Sequence, residues 1–276
     1  MQTRYSADPV RYPRMTTAEL RETFLLENLF ESGTIQMIYA EIDRAIVGGV
    51  VPTKKPLELA SADELRAGYF CERRELGVIN IGKSGTIEVD GQAFKMDNLD
   101  GLYIGQGSQS IRFQSDNPKD PAGYYLLSYP AHTSFPTKQA KKADAEAVHL
   151  GSDAECNKRT IYKYIHPAGI QSCQLVLGFT ELAEGNIWNT MPAHTHARRM
   201  EVYFYFNLQE DHVVFHLMGP PEETRHLVVR NRQAVLSPSW SLHSGAGTQR
   251  YSFIWGMGGE NQAFDDMDWV AMNTLQ

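Results

Sequence analysis

After position 33 the chain reads as short apolar runs set between polar and glycine-rich breaks. The first series is "TIQMIYAEI", "AIVGGVV", "LGVINI", "TIEV", "GLYI", "SIRF" and "YYLLSY". A second follows with "TIYKYI", "CQLVLGF", "EVYFYF", "VVFHLM", "HLVV", "QAVL" and "YSFIWG". Many short strands separated by regular turns predict an all-β protein, an antiparallel sandwich or barrel. One segment has a different period. In "TTAELRETFLLENLF", Thr16 and Glu19 have the spacing of a capping box, and Leu20, Phe24 and the apolar residues beyond recur as on one helix face, which predicts a helix packed on something larger.

Around 137 to 158 the pattern lapses into "TKQAKKADAEAVHLGSDAECNKR", charged and nearly free of large apolar residues. This break divides the chain into an N-terminal domain, 1–140, and a C-terminal domain, 141–276, each of ordinary domain size. "KQAKKADAEA" itself reads as a solvated helix or linker. The halves also resemble each other: "ERRELGVINIGKSGTIEVDGQ" and "ARRMEVYFYFNLQEDHVVFHLM" both open a strand from an Arg-Arg turn, reverse through polar residues and continue in a second strand. In a duplicated β unit one copy can keep chemistry while the other keeps structure.

Composition narrows the functional classes. With 276 residues and 42% hydrophobic content the chain lies outside the disordered range. Its formal net charge of -7 argues against nucleic acid or an anionic membrane as partner, since both need a basic surface. An anionic ligand would have to be held by a few local arginines. Three widely spaced cysteines, Cys71, Cys156 and Cys173, form no disulfide or zinc-ribbon pattern and read as packing residues in a reduced compartment. No apolar run approaches the ~18 residues of a membrane span, and "MQTRYSADPVRYPRM" has no signal-peptide core, so a cytoplasmic location is expected.

The chemistry-bearing stretch is "MPAHTHARRMEVYFYF". Side chains alternate along a strand, so His194 and His196 point the same way and Thr195 the other. After the "ARRM" turn, Glu201 begins the next strand beside them. "LSPSWSLHSGAG" offers His243 in a Ser-, Gly- and Pro-rich turn as a fourth group. Imidazole and carboxylate are ligand types of zinc, iron, manganese or nickel. A lone histidine such as His132, His149, His166, His212 or His216 reads as a surface or satisfied core residue; the set of four reads as a metal site.

His-x-His-x4-Glu followed by Pro-x-x-x-x-His resembles the two metal-binding motifs of the cupin superfamily, small antiparallel barrels with a metal inside. Two copies would make a bicupin, two double-stranded β-helix (jelly-roll) barrels with a few peripheral helices. The chain departs from the common pattern at Trp240, where cupins often carry glycine, and at Gly247, where they often carry asparagine. "AGYFCERRELG" has no histidine pair, so the first copy is expected to hold no metal. A closer resemblance runs through "IDRAIVGG", "ERRELGVINIG", "PAHTSFPTK", "WNTMPAHTHARRMEVYFYFNL", "ETRHLVVRN", "SPSWSLHSG" and "FIWGMGGENQAFDDMD". Together these are similar to the 5-keto-4-deoxyuronate isomerases, ketol-isomerases of pectin-fragment breakdown. That resemblance implies one zinc per chain on His194, His196, Glu201 and His243, a uronate substrate and a homohexamer.

For such a reaction, counting by twos from Glu201 places Tyr203 and Tyr205 on the metal side, with Val202, Phe204 and Phe206 behind. Trp188 and Trp240 are candidates to pack against a sugar, with Trp255 a candidate wall or core residue. Arg198, Arg199 and Arg225 are the candidates for the substrate carboxylate, because a guanidinium fork matches it. A ketol isomerisation also needs a base for a carbon-bound proton; Glu223, Tyr203, Tyr205 and a metal-bound water all remain open. An iron-dependent cupin dioxygenase and a non-catalytic sugar-binding cupin use related sites and are the competing functions. "GQGSQS" reads as a tight turn rather than a dinucleotide loop, and "FDDMD" (Asp265, Asp266, Asp268) as an exposed acidic turn.

Overall fold

In the computed structural model, residues 1–260 and 266–276 are described. The chain is all-β apart from one α-helix and several 3-10 turns among the described residues, and it divides into two compact units.

The first unit contains residues 1–3, 28–145 and 164–176. Its larger sheet runs in the order Gln2–Arg4, Ile35–Ala40, Ile46–Val50, Tyr124–Pro130, Arg74–Asn80, Gly101–Ile104, Lys138–Ala140. The smaller runs Leu57–Glu58, Ile111–Ser115, Gly85–Val89, Gln92–Met96. Alternation builds these strands: in Gly85–Val89 the side chains of Ile87 and Val89 are buried while Thr86 and Glu88 are partly exposed. The inward residues form one apolar cluster that includes Leu76, Val78, Ile87, Met96, Phe113 and Tyr124.

The second unit contains residues 4–27, 146–163 and 177–276. Its larger sheet is ordered Glu146–Leu150, Arg159–Ile165, Val176–Leu182, Ser252–Gly259, Arg199–Phe206, Gln233–Ser237, Leu25–Leu26. The smaller is ordered Arg225–Val229, Val214–Gly219, Leu242–Gly247, Trp188–Thr195, Asp268–Trp269. The strand order of the larger sheet repeats that of the first unit, so the duplication seen in the sequence is real in topology: two antiparallel double-stranded β-helices.

A single cut between 140 and 141 therefore misplaces the N-terminal segment. The helix Thr17–Phe24 starts where expected, with Thr16 Oγ1 accepting from the Glu19 amide at 3.3 Å and Glu19 Oε2 accepting from the Thr16 amide at 2.7 Å. It stops earlier than its apolar pattern predicted, because Leu25 and Leu26 pair as a strand with Val235 and Ala234. The segment covers an edge of the second unit's sheet, and Tyr12, Phe24 and Trp240 meet edge to face there. An unpaired edge exposes backbone donors and acceptors, and covering it satisfies them. "KQAKKADAEA" is not a helix either. Lys138–Ala140 is an edge strand paired with Gly101–Tyr103, and Lys142–Asp144 is a 3-10 turn. "GQGSQS" does form a turn, with Gly107 at a φ of +99° that a side chain would strain.

Candidate metal centre

The tetrad is assembled from both sheets of the second unit. His194, near the end of Trp188–Thr195, lies directly opposite His243 on Leu242–Gly247 in the smaller sheet. Glu201 lies on Arg199–Phe206 in the larger one, and His196 follows its strand into the turn. His243 thus sits inside a strand rather than in the turn its neighbours led one to expect. His243 Nε2 is 3.0 Å from His194 Nε2 and 3.0 Å from Glu201 Oε2, and His196 Nε2 is 3.0 Å from the same oxygen. All four are buried, with one ligand atom from each within 4.8 Å of the others. Among the described residues this is the group of His, Cys, Asp and Glu side chains placed to hold a metal ion.

Electrostatics prepares the donors. Burial, reinforced by the nearby His243 ring, pushes His194 down to about 2, although Glu201 works the other way. Burial likewise lowers His243. Burial works against a charge on Glu201, but the His243 and His196 rings outweigh it and hold the carboxyl below its usual range. Neutral imidazoles and an ionised carboxylate are the states that ligate a metal. His196 Nε2 and Glu201 Oε2 are buried without a well-oriented hydrogen bond. Buried polar atoms of this kind are rare unless they serve a ligand, and a cation at the meeting point of the three Nε2 atoms and Oε2 accounts for their mutual approach. The residues fit a divalent metal.

His194, His196 and Glu201 line a cavity of about 180 Å³, while His243, which meets His194 and Glu201, is not among its lining residues. The volume is below the roughly 300–1,000 Å³ of pockets for drug-sized ligands, so it suits a small metabolite. Its larger-sheet wall follows strand alternation: Arg199, Glu201 and Tyr203 on one strand, and Phe253, Trp255 and Met257 on the next, with Glu201 opposite Met257 and Tyr203 opposite Trp255. Gly178 makes room for the Trp255 indole; a Cβ there would lie 2.3 Å from that ring and from the Tyr162 carbonyl oxygen. Arg159, Ile161 and Thr180 continue this wall, and Met267 and Trp269 belong to the C-terminal segment.

Of the residues expected around the metal, Arg199 and Tyr203 line the cavity. Tyr203 shares a 3.0 Å hydrogen bond with Thr190 Oγ1, and burial raises its hydroxyl well above the ordinary tyrosine range. Tyr205 is on the same face but deeper, its hydroxyl 2.7 Å from His216 Nδ1, and is not among the lining residues. His216 is a buried core histidine, pushed to about 3 chiefly by burial. Glu223 lies exposed in the turn before Arg225–Val229, away from the cavity wall. Arg198 is exposed and paired with Glu260 at 2.9 Å, and Arg225 donates to the Met15 carbonyl oxygen at 2.9 Å. Neither lines the cavity; nor does Trp188, and Trp240 packs against Tyr12 and Phe24. Trp255 is part of the wall. In the acidic "FDDMD" segment Asp265 lies outside the described residues. Asp266 pairs with buried Arg199 at 2.5 Å, and Asp268 belongs to a short strand paired with Thr195.

Sequence reasoning missed Arg159 and Trp269. Trp269 stands opposite His194 in that strand pair, its ring centroid 5.2 Å from the imidazole, yet it is 60% exposed. Strand period from Ile161 back to Arg159 was the available signal for the first; a two-residue strand far along the chain leaves none for the second.

The first unit contrasts at the same place. Two residues after the Arg that opens the strand, Glu201 in the second unit is matched by Leu76, which is fully buried in the apolar cluster. Glu75, one position earlier, turns away to accept from the Tyr103 hydroxyl at 2.8 Å and from the amides of Cys173, Gln174 and Leu175 at 2.7–2.8 Å.

Two double-stranded β-helices, one with three imidazoles and a carboxylate turned inward, define a bicupin. Solved structures share the architecture: an IolB-like protein from Salmonella typhimurium, TM-score 0.72 at 14% identity, covering 90% of this chain and 96% of that one, and a point mutant of Bacillus subtilis oxalate decarboxylase, TM-score 0.60 at 9% identity, covering 87% and 78%. Residues 24–272 match the KduI/IolB family, and the chain belongs to it. The 4-deoxy-L-threo-5-hexosulose-uronate ketol-isomerase of Caldicellulosiruptor bescii is 53% identical over 276 residues, 100% of both chains. That of Dickeya dadantii is 51% identical over 278 residues, again 100% of both. With such relatives along its whole length, the chain is an enzyme, an isomerase.

Proposed function

We propose that the protein converts 4-deoxy-L-threo-5-hexosulose uronate to 3-deoxy-D-glycero-2,5-hexodiulosonate, a step in uronate and pectin breakdown, with zinc held by His194, His196, Glu201 and His243. The observation that carries this reading is the buried tetrad, three of whose members, His194, His196 and Glu201, line a cavity small enough for a monosaccharide. Relatives of the same length that bear the ketol-isomerase name support it. The family resemblance also supports a homohexamer working in the cytoplasm.

The reaction moves a carbonyl from carbon 1 to carbon 2. A proton leaves carbon 2 and one arrives at carbon 1, while the hydroxyl proton of oxygen 2 is given up and oxygen 1 takes one, with negative charge gathering on both oxygens of the intervening enediol. Bound zinc supplies Lewis acidity toward the carbonyl without any redox change. The chain's own groups do the rest of the positioning. The Tyr203 hydroxyl, kept protonated by burial and held by Thr190, is a donor for a substrate oxygen rather than a base. Trp255, Phe253 and Met257 give the cavity an apolar wall that excludes water and strengthens the polar contacts made inside it. Among the described lining residues Glu201 is the only carboxylate, which counts against Glu223 as the base.

The test is anaerobic incubation with the uronate, followed by NMR. The expected result is formation of the diketo acid, with solvent deuterium on the former aldehyde carbon, carbon 1 of the substrate, in heavy water where the relaying group exchanges. A requirement for oxygen or cleavage of a carbon–carbon bond would replace the isomerase with a dioxygenase. Uronate binding without turnover would leave a sugar-binding cupin.

A further inference from the structure

Two guanidinium groups line the cavity, and their surroundings differ in kind. Arg199 is 1% exposed, with Nη1 2.5 Å from Asp266 Oδ1. Its charge is matched by Asp266, and taking up a substrate carboxylate would mean competing with a partly buried partner already in place. Arg159, at the start of Arg159–Ile165, is half-buried and commits Nη1 to the Asn157 carbonyl oxygen at 2.7 Å. No carboxylate among the described residues pairs with it. The ionisable groups acting on it are the Tyr203 and Tyr251 hydroxyls, both kept protonated by burial. The other two arginines expected to bind the substrate are elsewhere: Arg198 faces Glu260, and Arg225 lines a separate recess with Thr17, Leu20 and Arg21.

A cation drawn partly out of water with no counter-charge is costly unless an anion arrives, and guanidinium offers a planar fork to a carboxylate. We infer that Arg159 is the carboxylate anchor of the cavity, and that the Arg199–Asp266 pair is a charge-matched part of its wall. The inference rests on the uronate-isomerase reading for the identity of the acid. It makes the site selective for sugar acids over neutral sugars of the same size, with the acid end at Arg159 and the carbonyl end at the tetrad.

The test uses the metal-loaded protein and its Arg159→Gln, Arg159→Lys and Arg198→Gln variants. An anchor that holds ground state and transition state alike raises KM and spares kcat. Loss of a charge-assisted hydrogen bond predicts a KM for the uronate raised roughly 10- to 100-fold in Arg159→Gln, with metal content unchanged. Arg159→Lys, which keeps the charge and loses the fork, should fall between, and Arg198→Gln should behave as wild type. A second arm compares thermal stabilisation by D-galacturonate and D-galactose, which judges the anchor even if the wild type proves not to isomerise the uronate. Stabilisation by the acid over the neutral sugar in wild type, abolished in Arg159→Gln and partly kept in Arg159→Lys, supports the anchor. A KM within twofold of wild type in Arg159→Gln overturns it. So does a preference for the acid that survives that substitution, an absence of preference in wild type, or loss of metal together with kcat.

Discussion

Tyr203 and Tyr205 share a strand and a face, and the structure gives their hydroxyls opposite work. Tyr205 is fully buried, its oxygen 2.7 Å from Nδ1 of fully buried His216, and the two rings meet edge to face at 5.8 Å. His216 is neutral at working pH, so Nδ1 is either a donor or an acceptor, and the hydroxyl can serve both. Tyr205→Phe keeps the ring and deletes the oxygen, leaving Nδ1 without that partner in a site water does not reach. The cost of such an orphaned group is roughly 1–3 kcal/mol. At ~2–4 °C per kcal/mol this is a fall in melting temperature of about 2–12 °C. Because Tyr205 does not line the cavity, kcat should stay within about threefold of wild type. Tyr203→Phe removes a hydroxyl inside the cavity, hydrogen-bonded to Thr190, whose own oxygen has the cavity to turn to. Its stability loss should be at most about 1 kcal/mol, while kcat should fall roughly 10- to 100-fold, as for loss of one donor to a developing oxyanion. Thermal melts and steady-state kinetics on the metal-loaded variants read both effects. A Tyr205→Phe protein that melts like wild type but loses tenfold or more in kcat would refute the assignment of the two hydroxyls.

His196→Ala should abolish metal retention, and the wild type should hold about one metal per chain by elemental analysis; a variant that stays loaded and active would remove His196 from the ligand set. Phe204 is fully buried on the side of its strand away from the tetrad, so Phe204→Ala should destabilise by roughly 3–5 kcal/mol in denaturant titration. Phe24→Ala, at the Tyr12–Phe24–Trp240 cluster, should cost a similar roughly 3–5 kcal/mol and loosen the N-terminal segment from the second unit, read as faster hydrogen exchange over residues 16–26. Glu75→Gln can keep the Gln174 and Leu175 amides on its carbonyl oxygen but turns its NH2 against the Cys173 amide, and should cost roughly 1–3 kcal/mol; a melting temperature equal to wild type would show that the carboxylate there contributes nothing.

Local periodicity carried the reading of the sequence a long way. A period of two is a property of any extended chain, so the strands, the common direction of His194 and His196, and the inward face of Glu201, Tyr203 and Tyr205 could all be counted off before folding. The Thr16 capping box worked for the same reason, since its partners are three residues apart. The duplication was legible too, because each copy opens a strand from an Arg-Arg turn and only the second copy carries the histidine pair.

What needed the tertiary structure was every relation between segments distant along the chain. Alternation assigns a face, but not the depth along it, so it could not tell that Tyr203 reaches the cavity while Tyr205 lies behind it against His216. Charge counting found arginines, but only packing shows that Arg198 meets Glu260, Arg199 meets Asp266 and Arg159 meets no acid among the described residues. The helix Thr17–Phe24 carries no mark of the sheet it covers; it joins residues more than 200 positions away because the second unit's edge strand needs a partner, and Leu25 and Leu26 supply it. Trp269 comes to stand against His194 by the same kind of long-range pairing. Face and spacing are fixed by local backbone geometry, whereas depth, charge matching and edge pairing are fixed by which distant strands close the barrel.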